Sequence, residues 1–101
     1  MEQVMNLMLD TRLFGNWKRC EPADEIVTLE FLPDGSLTYT VDLPEKRQVI
    51  LLTYKTMNNK YMITDQPSRP KEEKTNYRLS WDKKKLTLDF QGMKEVYIKT
   101  K

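Results

Sequence analysis

The chain of 101 residues is long enough for one domain of common size and too short for two with independent cores, so we predict a single domain over residues 1–101. Apolar residues, counted with tyrosine, make up 39% of the chain, which predicts a thin core or one shared with a cavity. Lysine and arginine number 17 against 15 aspartates and glutamates, and the resulting net charge of +2 disfavours binding to nucleic acid by bulk attraction.

The first 13 residues place apolar side chains at spacings of three and four, which is typical of a short one-sided helix. These side chains are Val4, Met5, Leu7, Met8 and Leu9. We therefore predict a helical cap over residues 1–13, followed by strands over 14–101.

No run of about 18 apolar residues occurs in the sequence, so we expect no membrane insertion. The first residues also lack the cationic start and continuous apolar centre of a secretory signal. We expect a cytoplasmic protein from the sequence as written, and a secreted or periplasmic one if a signal peptide has been removed.

After the helical segment, the spacing of apolar residues changes to two. Residues 28–31, 37–41 and 86–90 alternate between polar and apolar side chains, and each segment indicates a strand with one buried face. Turn residues divide the rest of the chain into pieces of similar length. The predicted strands are 14–20, 25–32, 36–42, 48–57, 60–65, 75–81, 85–90 and 94–99.

Turn residues predict two tight hairpins and one longer loop. Pro33-Asp34-Gly35 combines the fixed φ of proline with the freedom of glycine to take positive φ, and Asn58-Asn59 tolerates the left-handed conformation of a two-residue hairpin. Residues 66–73 include two prolines and no other apolar residue, which predicts an exposed loop.

Eight short strands with mostly tight connections and no crossover helix predict an antiparallel up-and-down meander. Closure of this sheet removes its two exposed edges, and eight strands close into a barrel that side chains fill or that holds one small ligand. The predicted fold class is therefore all-β, an eight-stranded closed barrel with a short N-terminal helix. The expected inward residues are Leu29, Phe31, Leu37, Tyr39, Val41, Leu51, Tyr61, Ile63, Tyr77, Leu79, Trp81, Leu86, Leu88, Phe90, Val96 and Ile98.

Residues 13–18 contain the pattern Gly-x-Trp, formed by Gly15 and Trp17, at the start of the first strand. Together with the Phe-x-Pro-Asp-Gly hairpin of residues 31–35 and the closing Tyr97-Ile98-Lys99, this pattern resembles the small bacterial lipocalin-like domains of the calycin group. In that family the glycine bends the first strand, and the tryptophan closes the narrow end of the barrel under a cation from the last strand. The resemblance implies these roles for Gly15, Trp17 and Lys99, with lysine in place of the arginine of classical lipocalins.

Aromatic residues recur along the predicted strands. A ligand cavity favours tyrosine because its hydroxyl can orient a polar head, although tyrosine is equally suited to any half-buried strand. We take five aromatic residues as candidate ligand-binding residues of the barrel interior, namely Tyr39, Tyr54, Tyr61, Tyr77 and Phe90.

Catalytic and metal-binding residues are sparse. The sequence has no histidine and one cysteine, Cys20, which excludes an internal disulfide, a zinc site of histidines and cysteines, and a histidine-based triad. The neighbouring carboxylates Asp24 and Glu25 are a poor acid–base pair, because adjacent side chains of an extended chain point to opposite faces. We expect no enzymatic activity, no metal and no cofactor.

Two functional interpretations remain open. In one, the protein holds a small apolar or amphipathic molecule in a barrel cavity lined by tyrosine and leucine. In the other, a filled barrel binds a protein partner through its loops or outer face. The basic run Lys83-Lys84-Lys85 would suit an acidic partner, but it is more typical of a solvated turn, and its lack of aromatic residues disfavours an RNA platform.

Overall fold

The computed structural model describes residues 9–19 and 24–100 and contains eight strands in this part of the chain. They are β1 (Gly15–Arg19), β2 (Ile26–Phe31), β3 (Ser36–Leu43), β4 (Lys46–Met57), β5 (Tyr61–Asp65), β6 (Glu73–Leu79), β7 (Lys85–Phe90) and β8 (Met93–Lys99). Each strand pairs antiparallel with the next, and β1 pairs with β8 to close the barrel. The predicted fold class, an all-β up-and-down meander closed into an eight-stranded barrel, is confirmed.

The turn residues behave as their chemistry predicts. Asn58 and Asn59 both have positive φ, at 54° and 55°, and they join β4 to β5. Gly35 has a φ of 91° in the turn between β2 and β3. Strand ends differ from the prediction by at most two residues, as in β6, which begins at Glu73 because that residue pairs with Thr64 of β5.

The helical cap predicted over residues 1–13 lies mostly outside the described residues. In its described part, only a single 3-10 turn forms, over Thr11–Leu13. Asp10 caps this turn, because its side chain accepts a hydrogen bond from the backbone N–H of Arg12 at 3.1 Å. The turn brings Leu13 into the core, where it is fully buried.

Trp17 and Lys99 close one end of the barrel. They lie opposite each other in the β1–β8 pairing, and Lys99 Nζ is 4.8 Å from the centroid of the Trp17 ring. Trp17 Nε1 donates a hydrogen bond to the Leu13 carbonyl at 2.8 Å, and Lys99 Nζ donates to the carbonyl of Phe14. The segment before β1 is therefore tied across this end by both side chains.

Gly15 begins β1 with a φ of 117°, a backbone conformation that side chains other than glycine's rarely adopt. This conformation turns the chain from the segment across the barrel end into the wall of the barrel. Trp17, two residues later, thereby points inward and is fully buried.

Several residues expected to face inward face outward instead. Leu51, Val96 and Ile98 are exposed, and Trp81 lies in the turn after β6 with 92% of its surface accessible. In β8 the reason is register: directly opposite residues share a face, so buried Trp17 places Lys99, and with it Tyr97 and Glu95, inside. In β4, Ile50 is opposite inward Tyr39, which turns Leu51 outward.

β5 shows the same inversion. Met62 is buried and lines the barrel interior, whereas the prediction placed its neighbours Tyr61 and Ile63 inside. Met62 pairs with Thr56, a buried residue of β4, and this register directs the odd-numbered residues of β5 outward. The apolar character of Tyr61 and Ile63 therefore did not indicate which residues of β5 face the barrel interior.

We expect Trp17→Ala to lower the free energy of unfolding by about 3–5 kcal/mol, because it removes a large, fully buried ring and its hydrogen bond. Urea unfolding followed by circular dichroism measures the change. Trp81→Ala is the matched control and should change it by no more than about 0.5 kcal/mol, because Trp81 is exposed. A loss below about 1 kcal/mol for Trp17→Ala would contradict the role of Trp17 in closing the barrel.

Candidate functional site

The barrel interior contains a cavity of about 460 Å³ that is partly open to solvent, and its volume is within the range of small-molecule sites. Every strand except β1 contributes inward side chains to its wall. The lining residues are Leu29, Phe31, Leu37, Tyr39, Ile50, Leu52, Met62, Thr64, Gln66, Glu73, Thr75, Leu88, Phe90, Met93, Glu95 and Tyr97. Most of this surface is apolar, because the inward positions of the central strands are leucine, isoleucine, phenylalanine and methionine.

The rim of the cavity lies at the end of the barrel away from Trp17. Met93 begins β8 and Lys99 ends it, so Met93 and its partner Phe90 are at the opposite end of the strands from the Lys99–Trp17 contact. Gln66 and Glu73, which flank the connection from β5 to β6, complete the lining at this end. The residues between them are exposed, as predicted for the 66–73 loop.

One wall of the barrel carries a polar cluster. Arg19 Nη1 lies 2.5 Å from Glu95 Oε2, and Arg19 Nη2 lies 3.0 Å from Glu25 Oε1. The Tyr97 hydroxyl donates a hydrogen bond to Glu95 Oε1 at 3.0 Å. β1 and β8 position these groups, because Arg19 is two residues beyond inward Trp17, and Glu95 and Tyr97 share the inward face of Lys99.

Tyr39 presents its ring to the cavity close to this cluster. Burial, together with the nearby charge of Glu95, raises the pKa of Tyr39, so its hydroxyl stays protonated and can donate a hydrogen bond. Within the described part of the chain, no hydrogen-bond partner of this hydroxyl is found. Tyr39 can therefore orient the polar group of a bound molecule.

Of the five candidate ligand-binding residues, Tyr39 and Phe90 line the cavity, whereas Tyr54, Tyr61 and Tyr77 do not. Tyr54 packs edge-on against Phe31, with ring centroids 5.0 Å apart, and its hydroxyl donates to the Leu32 carbonyl at 2.9 Å. Tyr61 lies beneath Lys74, whose Nζ is 4.3 Å from its ring centroid.

Tyr77 belongs to a buried network around Asp10. The Tyr77 hydroxyl donates a hydrogen bond to Asp10 Oδ2 at 2.8 Å, and Arg12 Nη2 donates to the same oxygen at 2.6 Å. Only 3% of the Asp10 side chain is exposed. Burial opposes ionisation of Asp10, but the hydrogen bonds from Arg12 and Tyr77 outweigh it and hold the pKa of Asp10 below its ordinary value.

Sequence reasoning missed the residues of the polar wall. Arg19, Glu95 and Tyr97 were not candidates, because β8 was assigned an inward face made of Val96 and Ile98. The expected contact of Lys99 with Trp17 could have predicted the inward face of β8. If Lys99 faces inward, the alternation of side chains along the strand also places Tyr97 and Glu95 inside. Arg19 follows from Trp17 by the same rule.

Comparison of the chain with protein-family models, with curated proteins and with solved structures found no match. In the described residues, no helix has the length and apolar character needed to cross a membrane. Residues 9–19 and 24–100 also contain no group of three or more acidic or cysteine side chains arranged to hold a metal ion. Cys20 lies outside the described residues. The fold and the cavity define a small closed antiparallel β-barrel with a largely apolar interior space.

We expect Asp10→Asn to lower the free energy of unfolding by about 1–3 kcal/mol at pH 7, because it weakens the hydrogen bonds of a buried carboxylate. The folded-state pKa of Asp10 is depressed, so its contribution is present above the unfolded-state pKa and is lost as the pH falls through the folded-state value. Denaturant unfolding from pH 7 to pH 2 should therefore show the two proteins converging below about pH 4. Asp24→Asn, in an exposed position, is the control. A constant difference across this range would show that the charge of Asp10 does not stabilise the fold.

Proposed function

We propose that the protein is a small lipocalin-like binding protein that holds a small apolar or amphipathic molecule in its barrel and catalyses no reaction. The observation that carries this proposal is the cavity of about 460 Å³ inside a closed eight-stranded barrel. The cavity combines an apolar body with a polar wall, the arrangement typical of small-molecule sites.

The division of the barrel into a sealed end and a cavity supports the lipocalin-like assignment. The positive φ of Gly15, the burial of Trp17 and the position of Lys99 over its ring are the geometry that the sequence resemblance implies. With this end sealed, a ligand enters past Phe90 and Met93.

A second function, protein binding through the outer face, is favoured by one specific observation. Residues 53–57 of β4 pair with β5, but no described strand pairs with the same edge of β4 over residues 46–52. Val49 and Leu51 are exposed on this segment. An unpaired strand edge with apolar side chains can accept a strand from another chain.

Sedimentation velocity tests this second function for pairing with another copy of the chain. Such pairing raises the sedimentation coefficient with protein concentration, and Leu51→Lys should reduce the increase, because lysine on an edge strand opposes pairing. A monomer at all concentrations would argue against pairing between copies.

The cavity function predicts saturable binding of Nile red, an uncharged apolar dye, with a rise in dye fluorescence. Ligand at 100 times its dissociation constant should stabilise the fold by about 2.7 kcal/mol through mass action, which a thermal melt detects. We expect Ile50→Trp to weaken dye binding by at least about tenfold, because the larger ring occupies the cavity that Ile50 lines.

Val49→Trp is the matched control, because Val49 precedes Ile50 on the same strand and is exposed. It should bind the dye as the wild type does. Thr64→Phe is a second variant that fills the cavity, for use if Ile50→Trp does not fold. Equal dye binding by the wild type and by a folded cavity-filling variant would contradict the cavity function.

A further inference from the structure

The charged groups of the cavity wall are strongly unbalanced. Among the described residues that line the cavity, the only charged side chains are two carboxylates, Glu73 and Glu95. Glu95 contacts the cation Arg19, which also contacts Glu25. One guanidinium against the carboxylates of Glu25 and Glu95 leaves this cluster with a net charge of −1.

Arg19 is poorly placed to bind an anion in the cavity. Both of its terminal nitrogens contact carboxylates, and only 14% of its side chain is exposed. Its Nε has no hydrogen-bond partner in the described chain, but this atom is buried and Arg19 does not line the cavity. A carboxylate ligand would have to displace Glu95 from Arg19 and would then lie beside the freed carboxylate of Glu95. That exchange is unfavourable, because two like charges at short distance repel each other.

Glu95 keeps accessible surface in the cavity despite its two contacts. Its side chain is 37% exposed, and each carboxylate oxygen has lone pairs beyond those that accept from Arg19 and Tyr97. Tyr39 faces the same space, and its hydroxyl oxygen, which has no partner in the described chain, can accept a hydrogen bond from an ammonium group. These groups can together hold a positively charged head.

Glu73 adds a second negative charge at the rim. Its closest cation is Lys71, at 3.8 Å, and both side chains are substantially exposed to solvent. Glu73 lines the cavity and Lys71 does not, so the carboxylate is the charge of this pair that a bound ligand contacts. A ligand therefore meets negative charge at the rim and again on the inner wall.

We propose that the cavity selects amphipathic cations, molecules with an apolar body and an amine head, and discriminates against anions of the fatty-acid type. This inference rests on the proposed binding function and names its ligand class. The apolar body lies among the leucine, phenylalanine and methionine side chains, and the ammonium group lies against Glu95 and Tyr39. Selectivity comes from attraction of the cation and from repulsion of the anion by the same carboxylates.

Three probes with one chain length test the proposal, namely decylamine, decanol and decanoate. Each is titrated below its aggregation concentration at pH 7 as a competitor of Nile red. We expect decylamine to bind at least about tenfold more tightly than decanoate, with decanol between them. The carboxylates of the cavity attract the ammonium group of decylamine, repel the carboxylate of decanoate and leave the uncharged decanol unaffected. The difference should shrink as salt is added, since the rim charge is screened.

The failure of this inference is distinguishable from failure of the proposed function. If none of the three probes displaces the dye and the dye itself does not bind, the cavity function is wrong. If decanol binds but decylamine binds no more tightly than decanoate, the cavity function stands and the charge selectivity is overturned.

Glu95→Gln tests the residue that carries the selectivity. Glutamine retains an acceptor for the Tyr97 hydroxyl and removes the negative charge, so we expect the ratio of decylamine to decanoate affinity to fall by about tenfold while decanol binding stays within about twofold. Glu30→Gln, on the outward face of β2, removes the same charge outside the cavity and should change neither value. If Glu95→Gln weakens all three probes equally, Glu95 has only a structural role and the proposal is overturned.

Discussion

The pairing of Trp17 with Lys99 is the contact on which the rest of the structure depends. It joins the first strand to the last and thereby converts an open meander into a closed barrel. It also sets the alternation of side chains in β1 and β8, because opposite residues share a face. Arg19, Glu95 and Tyr97 face inward as a direct result, although two of them are charged.

Polar groups at the two ends of the barrel differ in whether their hydrogen bonds are already made within the protein. At the sealed end, Asp10 is enclosed by hydrogen bonds from Arg12 and Tyr77, and the Tyr54 hydroxyl is bound to a backbone carbonyl. Asp10 and Tyr77 thereby hold the segment before β1 across the barrel, and Tyr54 is bound to the connection between β2 and β3. Toward the rim, the Tyr39 hydroxyl and the exposed part of Glu95 retain capacity for further contacts. Capacity for a ligand is therefore concentrated where the barrel is also hollow.

Inward-facing charge limits what the interior of the barrel can hold. Arg19 is neutralised by Glu25 and Glu95, so the polar wall tolerates burial without an isolated charge. The same arrangement leaves excess negative charge beside an apolar space. Under the binding function that we propose, this arrangement favours a ligand that is apolar over most of its surface and positive at one end.

The sequence by itself determined the strand count, the order of strands, the turns and the all-β class, because period-two alternation and turn residues such as Asn58-Asn59 act over a few neighbouring residues. The resemblance to lipocalin-like domains also implied that Trp17 and Lys99 meet. Only the tertiary structure decided which residues of β5 and β8 face inward and which residues line the cavity. Tyr61, Val96 and Ile98 have the hydrophobicity of core residues, and the closing register places them outside. Register couples residues that are distant along the chain, such as Trp17 and Lys99, so a local pattern cannot specify it.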